Sequence, residues 1–144
     1  MIRKIGYSIL YFTLLASAGI QTLLAEEQMN PQVNWMLNCQ GCHKPDASGI
    51  KGQIPSMKGF VARFLSVQGG RNYLIQVPGV AFSPLSDKQM AGLLNWMLAT
   101  FDPEHIPENF KNFDQNEVKL YRKSPLVTEA AVQRQNLIGR MDTE

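Results

Sequence analysis

"NWMLNCQGCHKPDASG", residues 34–49, holds both cysteines of the chain and one of its two histidines. Gln40 and Gly41 separate Cys39 from Cys42, and His43 follows directly. As a disulfide, two thiols this close form only a tight redox-type loop, which removes little entropy from the unfolded chain. A thioredoxin-like reading needs a strand before the motif and a long helix after it. Here "NPQVNWMLN" reads as a helix and "KPDASGIKGQIPS" as a loop. A structural zinc takes four ligands, but there is no second cysteine pair and the only other histidine is His105. The pattern that uses all three side chains is C-x-x-C-H, an attachment site for haem c. Each thiol adds across one of two neighbouring vinyl groups, and the two-residue spacer matches their separation. The adjacent His43 imidazole then donates a nitrogen to the iron as its proximal ligand.

The N-terminus supplies the context. Arg3 and Lys4 precede the uncharged apolar run "IGYSILYFTLLASAGI", and small-residue cleavage sites follow at Ala16-Ser17-Ala18 and Leu23-Leu24-Ala25. This is the pattern of a secretory signal peptide, residues 1–25. Haem attached after export is consistent with it, and the expected location is the periplasm. The alternative, an uncleaved anchor, is opposed by the length of the run and by Gln21 and Thr22 within it. No stable membrane span is expected after cleavage. Cleavage after Ala25 also removes Arg3 and Lys4 and leaves basic and acidic residues equal in number. A neutral chain argues against nucleic acid as the main partner.

Apolar periodicity predicts helices and no strands, so the expected class is all-α. Asn30 and Pro31 open a helix over about 31–40, with Val33, Met36 and Leu37 on one side. Residues 43–56, with Pro45, Gly49, Gly52 and Pro55, read as a loop. "MKGFVARFLSV" has helical spacing and ends at Gly69-Gly70, and "RNYLIQV" is a short helix closed by Pro78-Gly79. Ser86 and Gln89 fit a capping box before a helix running to about Phe101, with Met90, Leu93, Leu94 and Met97 on its apolar face. Beyond it, Asp114 and Glu117 repeat the capping pattern, and Ser124-Pro125 opens a third helical stretch to Gly139. The expected divisions are residues 1–25, a haem domain over 26–101, and a partly helical C-terminal extension over 102–144.

Residues 31 to about 101 resemble class I cytochromes c, small single-haem electron carriers of bacteria. The resemblance rests on Cys39, Cys42 and His43, on the helix before them, on "IPSMKG" after them, and on the final helix "LSDKQMAGLLNWML". It implies a class I cytochrome c-like helical fold around one covalent haem. It also implies that the backbone carbonyl of Pro55 accepts a bond from the proximal histidine, and that Trp96 packs near the haem and the first helix. In the family a methionine in the loop before the last helix binds the iron from the distal side. Here that loop reads "QVPGVAFSPLSD", Val77-Pro78 stands at the matching place, and no methionine lies between Arg71 and Lys88.

The sixth iron ligand is therefore open. Met57, Met90, Met97 and His105 are candidates, Met57 being the tentative distal ligand, and an unfilled position is the remaining outcome. A methionine at helical spacing usually fills a core, and a lone histidine in a polar loop usually faces water. A thioether raises the reduction potential and a second imidazole lowers it, while an open iron binds small molecules such as carbon monoxide, nitric oxide or peroxide.

Charge adds one further expectation. From Gln40 to Met90, Lys44, Lys51, Lys58, Arg63, Arg71 and Lys88 face only Asp46 and Asp87. The bland reading is an ordinary solvated surface; the functional one is a basic rim steering an acidic partner to the haem edge. Arg71 has the planar fork that suits a haem propionate. The expected function is single-electron transfer from an exported dehydrogenase to an oxidase or another cytochrome, with no substrate transformed. The alternative is a haem-based ligand-binding or sensor protein, or a peroxide-reactive one, with a vacant sixth position.

Overall fold

A computed structural model describes residues 30–141. The expected signal peptide and Met29 lie outside the described residues. Helix α1, Pro31–Asn38, has proline at its first position, where the missing N–H costs nothing. Cys39 separates it from the single turn α2, Gln40–His43. Val33, Met36 and Leu37 do share a side of α1, but it is the outer one, with Leu37 71% exposed. The inward side carries Asn34 and Trp35. Spacing alone did not distinguish the two, because a polar residue at position 34 disguises the buried stripe.

Residues 44–60 are irregular, apart from a bridge between Ile50 and Ile54. The helical spacing of "MKGFVARFLSV" is realised as a 3-10 helix, Val61–Ser66, that buries Val61, Ala62 and Phe64. Gly69 then takes a left-handed conformation, φ 85°. A β-carbon on Gly70 would overlap the Phe64 carbonyl oxygen, so the chain can double back here only through glycine. The return places the Tyr73 ring 5.0 Å from Phe64. Helix α3 spans Gly70–Gln76. Pro78 holds Val77 extended, as a proline does to the residue before it, and so ends α3. Pro78-Gly79 also begins a further turn, α4, Pro78–Ala81.

Helix α5, Asp87–Phe101, carries the expected capping box: the Gln89 amide donates to Ser86 Oγ at 3.2 Å and the Ser86 amide to Gln89 Oε1 at 2.9 Å. Its inner face buries Met90, Ala91, Leu93, Leu94, Met97 and Leu98 and packs on α1. Helix α6, Gln115–Tyr121, is capped by Asp114, which accepts from the Asn116 and Glu117 amides. The last helix, α7, Ala130–Met141, starts after the expected Ser124-Pro125, because residues 124–126 are drawn to α3, where the Leu126 amide donates to the Gln76 carbonyl at 2.9 Å. Residues 102–141 close on the same core as residues 31–101: Phe113, Val118 and Leu137 are buried in it, and residues 31–141 belong to one compact unit. Among the described residues no strand is formed, and no helix is long and apolar enough to cross a membrane.

Candidate functional site

The end of α1 delivers the cysteines. The Cys39 amide donates to the Trp35 carbonyl at 2.9 Å, so the helical path continues into the motif. The Cys39 carbonyl then accepts from both the Cys42 amide, at 3.2 Å, and the His43 amide, at 3.0 Å. This turn puts residues three apart on a common side, as helical geometry requires. Both thiols are free, Cys39 half-buried and Cys42 exposed. Burial, and then the neighbouring Cys42, push the Cys39 thiol above its ordinary value. Burial also pushes the His43 imidazole below its ordinary value. His43 is therefore neutral at pH 7, the form that binds a metal.

An aromatic stack supports the imidazole from behind. The Trp35 ring lies 6.0 Å from His43 and 4.8 Å from Phe101. Trp96 meets Phe101 edge-on at 5.4 Å and Trp35 at 6.3 Å, which sets this aromatic of α5 against α1. Sequence reasoning named Trp96 and missed Trp35. The signal was available: position 35 is one helical turn before Cys39.

Haem c is the group the motif implies, and the residues fit it. The side-chain N and O atoms of Asn34, Trp35 Nε1 and His43 Nδ1 are buried without a hydrogen-bond partner among the described residues. Native structures leave few such atoms unsatisfied. Their concentration on α1 and α2, beside two free thiols, is what a fold prepared for a further group would display. Cys39 and Cys42 would hold its ring and His43 its iron.

The remaining expected residues behave differently. Because His43 Nδ1 has no partner, the expected bond to the Pro55 carbonyl is not made. That carbonyl lies close to Gly49, where an added β-carbon would come within 2.8 Å of it. Arg71 does not present a free fork for a propionate. Its Nε and Nη2 donate to Glu117 at 2.5 and 2.7 Å, its Nη1 to the Lys111 carbonyl at 2.7 Å, and its Nη2 also to the Asn112 carbonyl at 3.2 Å. The tail's own capping pattern hid this in the sequence, because it assigned Glu117 to its helix start.

Among the distal candidates, Met90 and Met97 are buried core residues. Met57 is half-buried, and its amide donates to the Ala47 carbonyl at 2.9 Å, which ties it to the loop just after His43. His105 Nδ1 lies 2.5 Å from Asp102 Oδ1. The other oxygen of this fully buried carboxylate accepts from the Ala62 amide at 2.7 Å. His105 thus belongs to a latch joining the end of α5 to the 3-10 helix at Val61–Ser66.

No family model matches the sequence. The chain is 29% identical over 119 aligned residues to cytochrome c-552 of Thermus thermophilus, covering 70% of this chain and 91% of that protein. It is equally similar to a second cytochrome c-552, from a particular strain of the same species, with 70% of this chain and 80% of that protein covered.

Proposed function

We propose that this chain, which its similarity and helical fold support as a class I c-type cytochrome, is a periplasmic monohaem carrier of single electrons. In this reading residues 1–25 export the chain, residues 26–101 hold one haem c, and residues 102–144 are an extension whose described part, residues 102–141, packs upon it. The donor is an exported dehydrogenase, and the acceptor an oxidase or another cytochrome.

When bound, the haem supplies the redox chemistry, its iron alternating between two oxidation states. The chain's own residues do the rest. Cys39 and Cys42 anchor the ring so that it is not lost between encounters. His43, kept neutral by its partial burial, offers an imidazole nitrogen whose orientation is restricted by Trp35, itself packed on Phe101. Trp96 and the apolar face of α5 keep water away and limit reorganisation. Lys44, Lys51, Lys58, Arg63 and Lys88 supply the basic charge for an acidic partner, although Lys58 pairs with Asp46 at 3.4 Å.

The observation that carries this reading is the turn Cys39–His43, with two free thiols and a half-buried imidazole whose buried Nδ1 has no hydrogen-bond partner among the described residues. The test is to weigh the exported, matured protein and record its spectrum. One haem mass above the bare chain, a Soret band and a single reversible one-electron titration are expected. A bare-chain mass without Soret absorption would overturn it.

One observation favours a second reading. The loop before α5 lacks methionine, and Met90 and Met97 are core residues of that helix. An iron with an unfilled sixth position would bind a small neutral ligand and make the chain a haem-based sensor or a peroxide-reactive protein. Rapid carbon monoxide binding to the reduced protein supports this reading. A low-spin spectrum with a thioether–iron band and no carbon monoxide uptake excludes it.

A further inference from the structure

The segment between α3 and α5 contains no methionine, histidine or cysteine from Arg71 to Lys88. No side chain of the usual axial-ligand types therefore holds it to a metal. It is held instead by the extension. Arg122, just past the end of α6, donates through Nε to the Ala81 carbonyl at 3.2 Å. Its Nη1 donates to the Leu85 carbonyl at 2.8 Å and to Asp87 Oδ1 at 3.0 Å, and its Nη2 donates to the Ser83 carbonyl. Three backbone carbonyls of one short loop converge on a single guanidinium whose side chain is only 14% exposed.

Two further ties flank this one. At the start of α3, Arg71 grips Glu117 and the Lys111 and Asn112 carbonyls. At its end, Gln76 Nε2 donates to the Ser124 carbonyl at 2.9 Å, while the Gln76 carbonyl accepts from Leu126. Residues 111–126 therefore hold residues 71–87 at both ends and along the loop.

We propose that the C-terminal extension is a clasp for the loop before α5, and that Arg122 is its positioning residue. The proposal rests on the second reading above, in which this loop, where the class I family carries its distal methionine, supplies no ligand. A loop fixed by a guanidinium needs no bond to iron to keep its shape. It keeps half-buried Val77 and Val80 in place while leaving the sixth position to a small neutral molecule. A planar fork with five donors suits carbonyls spread over several residues; a lysine ammonium, a single point, does not.

The test uses the mature, full-length haem protein with Arg122→Gln and Arg122→Lys. The amides of Val80, Ala81, Phe82 and Ser83 donate to carbonyls within the loop, so their hydrogen exchange reports its opening. Arg122→Gln should speed that exchange about tenfold or more, Arg122→Lys less, with α5 amides unchanged. Unchanged loop exchange overturns the clasp, as does an equal rise in α5, which would make Arg122 a general stabiliser. The rate of carbon monoxide association with the reduced protein should also change in Arg122→Gln. A constant rate despite a loosened loop overturns the positioning role. If the wild-type protein takes up no carbon monoxide, the open-site reading fails. The reduction potential then becomes the readout: a shift in Arg122→Gln supports positioning, and no shift overturns it.

Discussion

Arg71 and Glu117 face each other as fork on fork, Nε to Oε1 at 2.5 Å and Nη2 to Oε2 at 2.7 Å, across 46 residues of chain. The guanidinium also lies 4.1 Å from the centre of the Phe113 ring, so charge pairing and cation–π contact act on the same group. The pair is mostly buried but not dry. Glu117→Gln should therefore cost roughly 1–3 kcal/mol, more than an exposed pair and less than a fully buried one. Urea unfolding of the mature protein measures it. A loss within error of zero would mean that α6 is held to α3 by apolar packing alone.

The Asp102–His105 latch gives a second expectation. Asp102→Ala leaves the buried Ala62 amide without its acceptor, at a cost of about 1–3 kcal/mol. His105→Ala removes only the outer partner and should cost less. Neither should alter the visible spectrum of the oxidised protein. A spectral change on replacing His105 would return it to the iron as a ligand.

Glycine at position 70 is required by the close approach to Phe64. Gly70→Ala drives a β-carbon against backbone, and backbone has no rotamer with which to yield. The loss should reach several kcal/mol, at the upper end of single substitutions. Gly41→Ala, whose added carbon meets nothing within 4 Å, is the control. Comparable thermal midpoints for the two variants would contradict the packing argument.

Tyr73 sets an alkaline limit. Burial raises its phenol above the ordinary value, with Arg134 acting weakly in the opposite direction. The folded chain therefore favours the neutral phenol. That contribution is fully present below the unfolded value of about 10 and is lost as pH rises through the folded one. Tyr73→Phe should flatten the alkaline decline in stability, read as thermal midpoint against pH, without changing it at neutral pH. An equally steep decline in the variant assigns the effect to other groups.

What the sequence by itself determined is local. The C-x-x-C-H spacing specified the turn Cys39–His43, because a few consecutive backbone positions suffice to bring two thiols and an imidazole together. Ser86 and Gln89 specified where α5 begins, because a capping box closes over a single turn. Gly69-Gly70 and Pro78 marked the breaks on either side of α3 by restricting their own dihedrals or those of a neighbour.

Tertiary structure decided the rest, since it depends on partners far along the chain. Which side of α1 is buried was settled by α5 and not by the helix's own pattern, which pointed outward. Arg71 read as an anion-binding fork, and its anion proved to be a carboxylate in the extension. His105 read as a loose histidine until Asp102 and Ala62 were brought beside it. Arg122 carried no signal at all, because three of its four acceptors are backbone carbonyls, which every residue possesses and no sequence pattern distinguishes.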